Sequence, residues 1–165
     1  MIRDILITTI ALFFVVGVCR AQEPESKQHF EVSLSENLLS GTLSLMNYAG
    51  VNIGYSFKTN DKVILDLSFG RGIMGQDNRT QFLSLLYAHE FLYSRSFGTQ
   101  VGIGPGIMRN INPDGTYSLM PVGSLDLQHR IYFTQKSFVG FSAKAHLSKG
   151  FHQASFIGFV WGVKL

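Results

Sequence analysis

Charge is scarce in this chain. Asp, Glu, Lys and Arg make up 15% of its 165 residues, against roughly a quarter in a typical soluble domain. The formal net charge of +3 is spread along the sequence. No basic run is interleaved with aromatics, which argues against a nucleic-acid partner. Cysteine is rarer still: Cys19 is the only one, so a chain shortened beyond it has no disulfide and depends on its sheet and packing. After residue 21, no stretch approaches the ~20 consecutive apolar residues of a transmembrane helix. His29, His89, His129 and His152 are dispersed without metal-ligand spacing, so no metal and no cofactor is expected. "GIGPG" has no helix-forming stretch behind it and is not a phosphate loop.

What the chain has instead is glycine and aromatics, seventeen Gly and fourteen Phe among them. The first twenty-one residues read as a secretory signal. Ile5 to Val18 is an apolar run of h-region length, too short to cross ~30 Å of hydrocarbon comfortably, and Ala21 offers a small residue at the cut. The expected organisation is a signal peptide over 1–21, a short segment over 22–27 and one domain over 28–165.

That domain alternates at period two. "SFIGFVWGVKL" at the C-terminus sets Ile157, Phe159, Trp161, Val163 and Leu165 against Gly158, Val160, Gly162 and Lys164. Seven earlier segments behave alike: "FEVSLSENL", "AGVNIGYSFK", "VILDLSFG", "LSLLYAHEF", "QVGIGPGIM", "YSLMPVGSLDLQ" and "FVGFSAKAHLS". In the sixth, Met120 and Val122 share a face with Ser118, Ser124 and Asp126. The connections alternate too. Short turns at 59–61, 94–97 and 134–136 are interleaved with longer ones, "NLLSGTLSLMN", "RGIMGQDNRT", "RNINPDGT" and "KGFHQA".

Eight strands with alternating short and long connections predict an all-β fold: an eight-stranded antiparallel up-and-down transmembrane β-barrel in an outer membrane. Large apolar residues then face lipid, and Gly and Ser fit a lumen too narrow for more than side chains or one small ligand. A soluble lipocalin-like barrel would invert this and present Gly and Ser to water, where Thr, Lys, Glu and Gln are usual. Both termini fall on the short-turn, periplasmic side. In this pattern residues 28–165 resemble the small eight-stranded outer-membrane barrels of OmpA, OmpX and PagP-like architecture. The resemblance implies outer-membrane lipid as partner and a structural, interaction or small-ligand-binding role, not a wide diffusion pore.

Parity turns Glu31, Lys58, Asp66, Glu90, Asp126, Lys144 and Lys164 toward the lumen, where charges must be paired or hydrated. A salt-bridge network stiffening the floor is expected; a gated ion or proton path is the alternative. In the other half the inward positions are small (Gly50, Gly70, Gly102, Gly104, Gly106, Ser118, Ser142, Gly158). Either Met108, Met120 and Phe156 fill that space or a cavity remains for a small apolar ligand. Pro105 and Pro121 lie symmetrically about Pro113. Facing each other across a hairpin, they would remove two ladder donors at one level and make a lateral weak point, as proline-marked wall openings do in PagP-like enzymes.

One stretch looks catalytic. His146 and Ser148, two apart in "AHLSKGFH", pair a base with a hydroxyl and are the candidate catalytic residues. They are similar to the His-x-Ser of PagL-like lipid A deacylases, which would imply a lipid-modifying enzyme. That family follows its serine with Asn, where Lys149 stands here, and no Asp or Glu follows Asp126 to orient the histidine. "NYAG", "FHQ" and the terminal "GVK" resemble the TraO barrels of conjugation machinery. Finally, Leu38, Leu39, Leu43, Leu45 and Met46 make the first outer loop apolar, fit to cap the barrel or to touch an envelope protein partner.

Overall fold

Period-two alternation resolves into eight strands: β1 (His29–Gly41), β2 (Met46–Ser56), β3 (Asp61–Gly72), β4 (Arg79–Ser94), β5 (Phe97–Ile111), β6 (Tyr117–Tyr132), β7 (Ser137–Ser148) and β8 (Phe151–Lys164). The structure is a computed structural model. It describes residues 29–41, 45–72, 79–94 and 96–165, without the side chains of residues 39, 93 and 156. The expected signal peptide, segment 22–27, Leu43 and the Phe156 side chain lie outside the described residues.

Each strand pairs antiparallel with its sequence neighbours, and β1 also pairs with β8, from Glu31↔Lys164 to Gly41↔Gln153. The sheet therefore closes, and no edge is left for lipid to strand. The β2–β3, β4–β5 and β6–β7 connections share one end of the barrel with both ends of the described chain. There Leu165 N–H donates to Phe30 O at 2.7 Å.

At the opposite end the strands reach into every connection expected to be long: β1 runs to Gly41, β3 to Gly72 and β5 to Ile111, and the last connection departs furthest. "KGFHQA" is not a long loop: Lys149 and Gly150 alone join β7 to β8, with Gly150 at φ 75°. A left-handed residue suits a tight hairpin. The rest of the segment is strand because Phe151, Gln153 and Ser155 alternate into the lumen and are buried.

Polarity settles which face meets what. Every strand turns a large apolar side chain outward, among them Leu34, Ile53, Leu65, Leu85, Ile103, Leu125, Phe141 and Phe159, each 37–63% exposed. Inside, buried side chains are mostly polar or charged. A soluble barrel cannot hold that arrangement; a lipid-embedded one requires it. Near the short turns the outer wall carries aromatic pairs, Phe30–Tyr55 at 5.1 Å and Phe57–Tyr87 at 6.3 Å. Such pairs mark a membrane–water interface.

The lumen is packed in layers. At the end away from the termini, Met46, Tyr48, Phe82, Met108, Val122 and Phe151 form an apolar plug, with Met120 against it. Met46, expected in a loop, opens β2 and is wholly buried. The inward glycines are used by neighbouring side chains. A Cβ on Gly70 would lie 2.1 Å from the Tyr48 ring, and one on Gly162 would lie 2.3 Å from the Phe138 ring. Small residues on one strand thus seat aromatics from the next. Burying each such aromatic contributes about 1.5–3 kcal/mol relative to water.

Candidate functional site

Below the apolar plug the lumen is spanned by ion pairs. Strand alternation aims these groups inward, and the barrel's curvature brings distant strands face to face. Glu31 on β1 receives Arg130 of β6 in a two-pronged contact, Nη2 donating to Oε1 at 2.8 Å and Nη1 to Oε2 at 2.9 Å. Lys62 of β3 donates to the same carboxylate at 3.0 Å and to Glu90 of β4 at 3.3 Å. Tyr132 donates its hydroxyl to Glu90, and Lys164 lies 3.8 Å from that carboxylate. Arg130 stacks over Phe138 at 4.1 Å, and Lys164 over Tyr132 at 4.4 Å.

A second layer lies further in. Lys144 of β7 reaches across to Asp66 of β3, 2.9 Å from both oxygens, and Ser68 donates to the same carboxylate at 2.9 Å. Asp126 accepts from Gln128 at 2.6 Å, and Gln128 accepts from Arg130 Nε at 3.0 Å, which links the layers. The buried cations Lys62, Arg130 and Lys144 and the partly buried Lys164 stand against the buried carboxylates Glu31, Asp66, Glu90 and Asp126. The described lumen is therefore neutral in sum. Pairing of this quality is what makes buried charge tolerable. The Gln100 amide and Asp126 Oδ1 lack hydrogen-bond partners, and polar groups so enclosed are places for internal water.

Six of the seven charges singled out in the sequence lie in this lumen. Lys58 does not. Strand β2 ends at Ser56, so Lys58 sits exposed in the 57–60 turn, where alternation no longer assigns a face. Lys62 and Arg130 were missed, although each has the parity of a charge that was seen: Lys62 that of Asp66, Arg130 that of Asp126. Carrying the alternation two residues further toward the short turns would have found both.

His146 and Ser148 are not brought together. His146 is buried, its ring stacked on Phe82 at 3.9 Å and 10°, and its Nδ1 is 2.9 Å from Ser124 Oγ. Ser124 bonds in turn to Ser84 at 2.7 Å. Ser148 is half-buried at the rim, opposite Phe151 in the β7–β8 ladder. The histidine's hydrogen-bond partner is thus a hydroxyl inside the packed lumen, with no carboxylate bonded to the ring.

Pro105 and Pro121 do not face each other. The β5–β6 hairpin is centred on Asp114, one residue beyond Pro113, so every partner moves by two: Pro105 pairs with Gly123 and Pro121 with Ile107. Their missing donors fall on different seams. The β4–β5 ladder is interrupted between Ser84↔Gly106 and Tyr87↔Ile103, opposite Pro105. Pro121 lies above Gly123↔Leu147, the last β6–β7 pair, where β6 continues upward beside β5 alone.

These features define a closed eight-stranded barrel with a charge-paired floor and an apolar plug, and its fold is that of the small outer-membrane barrels. The N-terminal β-barrel domain of Pseudomonas aeruginosa OprF superposes with a TM-score of 0.65 at 19% identity, over 86% of this chain and 100% of that one. Neisserial surface protein A (NspA) superposes at 0.64 and 10% identity, over 84% and 97%. Ail, the attachment invasion locus protein of Yersinia pestis, solved with the heparin analogue sucrose octasulfate, superposes at 0.54 and 10% identity, over 86% and 99%. No protein-family model matches the sequence, and no curated protein does. At these identities the likeness is one of fold.

Proposed function

We propose that this protein is a non-enzymatic barrel of the outer membrane, exported by the signal over residues 1–21 and inserted through residues 28–165 with its termini in the periplasm. Its role is structural or interactive rather than conductive: a closed wall that carries its far-end connections to the outside. The observation that carries the reading is the set of ion pairs across the lumen, Glu31–Arg130 and Asp66–Lys144 above all. Each joins strands that are not neighbours in the wall, so each is a strut across the bore. An interaction role is favoured by the β5–β6 hairpin. It rises past the last β6–β7 pair with Tyr117 and Leu119 about 60% exposed, and exposed apolar residues at a rim suit contact with an envelope partner.

Conductance across a planar bilayer tests the sealed lumen. Purified protein should insert, as judged by protease resistance, and show no steady ohmic current. A stable open channel in the unmodified protein would overturn the reading in favour of an ion path. A lipid-acting enzyme is the competing class, and it predicts altered lipid A acylation that depends on Ser148.

A further inference from the structure

The charges of the described lumen balance in sum but not layer by layer. In the floor, Lys62, Arg130 and Lys164 stand around two carboxylates, Glu31 and Glu90. In the second layer Lys144 alone stands with two, Asp66 and Asp126. Its ammonium donates to both oxygens of Asp66 at 2.9 Å and to Ser68 at 3.4 Å. None of these bonds goes to Asp126, although Asp126 and Lys144 are opposite each other in the β6–β7 ladder. Asp126 is 1% exposed, and its bond comes from the neutral Gln128 amide, to Oδ2. The layer is therefore short of a positive charge, and the deficit falls at Asp126 Oδ1, which has no hydrogen-bond partner. A buried carboxylate without a counter-charge is costly.

A second buried group lies beside it. Gln100 on β5 is fully buried, and neither its Oε1 nor its Nε2 has a partner. Gln100 pairs with Gln128, and the next inward residue on β5, Gly102, pairs with Asp126. Gln100 and Asp126 are thus diagonal neighbours on the inner face, within reach of each other for long side chains. Gly102 puts no side chain between them. A Cβ there would approach Ala88 and Leu86 no closer than 3.5 Å, so the niche has room for a small ion.

We propose that Asp126 Oδ1 and Gln100 Oε1 bind one monovalent metal cation, sodium by size, with internal water completing its shell. Carboxylate and amide oxygens suit hard cations. Water alone would satisfy the oxygens but leave the charge unpaired. A divalent ion would overshoot the deficit, and such ions take more oxygen ligands than this niche supplies. The donor set contains no histidine or cysteine, so no ligand spacing in the sequence announces it. The site is independent of what the outer wall contacts.

A cation bound only by the folded barrel stabilises it. The purified protein is unfolded and refolded with urea in lipid vesicles, in sodium, potassium or choline chloride at one ionic strength. Once sodium exceeds its dissociation constant, each tenfold rise in sodium at the expense of choline should raise the folding constant about tenfold. Potassium should act more weakly. Asp126→Asn should abolish the dependence and, in choline, fold at least as stably as the unmodified protein, because the unpaired charge is gone. If that variant fails to fold, Gln100→Leu with Gly102→Ala decides, since it removes one ligand and narrows the niche; the sodium effect should fall away. Equal midpoints in sodium and choline, the result for water alone, overturn the site. So does a sodium effect that survives these substitutions. A carboxylic-acid stretch in the infrared spectrum of the unmodified protein in sodium, absent from Asp126→Asn, puts a proton in place of the metal and overturns it as well.

Discussion

Lys144 shows what single residues hold in place. Its ammonium neutralises Asp66 across the bore and lies in the field of Asp126. Lys144→Met strands two buried carboxylates and should cost about 3–5 kcal/mol in denaturant unfolding from lipid vesicles. Adding Asp66→Asn should recover part of that loss, so the pair is non-additive; additive losses would mean that the two groups do not interact. Gly70→Val tests packing in the same assay. Its Cβ would lie where the Tyr48 ring sits, and the overpacked lumen should lose about 1–3 kcal/mol, whereas Ala on the outward face at Val51 should cost little in lipid. Much at this scale was legible beforehand, because alternation assigns each strand residue a face. Partners were not. That Glu31 meets Arg130, 99 residues away, depends on closure and strand stagger, which period-two counting does not contain.

Elements carry the next set of properties. The β5–β6 connection over 112–116 is a tight turn. Asn112 N–H bonds Thr116 O at 2.9 Å, Gly115 takes φ 83°, and Asp114 accepts from the Thr116 hydroxyl at 2.6 Å and its N–H at 2.9 Å. The Thr116 hydroxyl bond, then the backbone bond, holds the Asp114 carboxyl below its ordinary range. Its contribution to the turn is therefore fully present above the unfolded-state pKa and is lost as pH falls through the lower folded-state value. Thr116 amide protection in NMR should drop on acidification in that order, and Asp114→Asn should make it insensitive to pH.

Within the wall, the seam opposite Pro105 is the weakest stretch of the β4–β5 ladder. Amides of Leu85, Leu86 and Gly104 should exchange faster than those of Ser84 and Ile103, and uniform protection along β4 would contradict the interruption. Strand number and order followed from the sequence, and so did most faces; β8 is an exception, because a register shift buries Ser155 although it has the parity of outward Ile157. Register did not: taking Pro113 rather than Asp114 as the hairpin centre set the two prolines opposite each other, a displacement of one residue at the turn and two at every rung. "KGFHQA" misled for a related reason. Its Gly and polar residues resemble a loop, but inside a polar lumen Gln153 and Ser155 are ordinary inward residues.

For the whole molecule, closure and polarity act together. A closed sheet satisfies the backbone in a medium without water. A neutral set of crossed ion pairs lets charge stay buried, and apolar side chains on all eight strands make the exterior a lipid-facing surface. Composition pointed to this architecture because scarce charge, abundant glycine and alternating aromatics are one pattern seen from two faces.

The central claim is a closed barrel resident in the outer membrane, and electrophoretic heat-modifiability of the protein in an outer-membrane fraction tests it most directly. The folded barrel should resist detergent unless boiled, so the unheated sample should migrate ahead of the boiled one and be absent from the soluble periplasmic fraction. Identical migration before and after boiling, with the protein in the soluble fraction, would contradict the account.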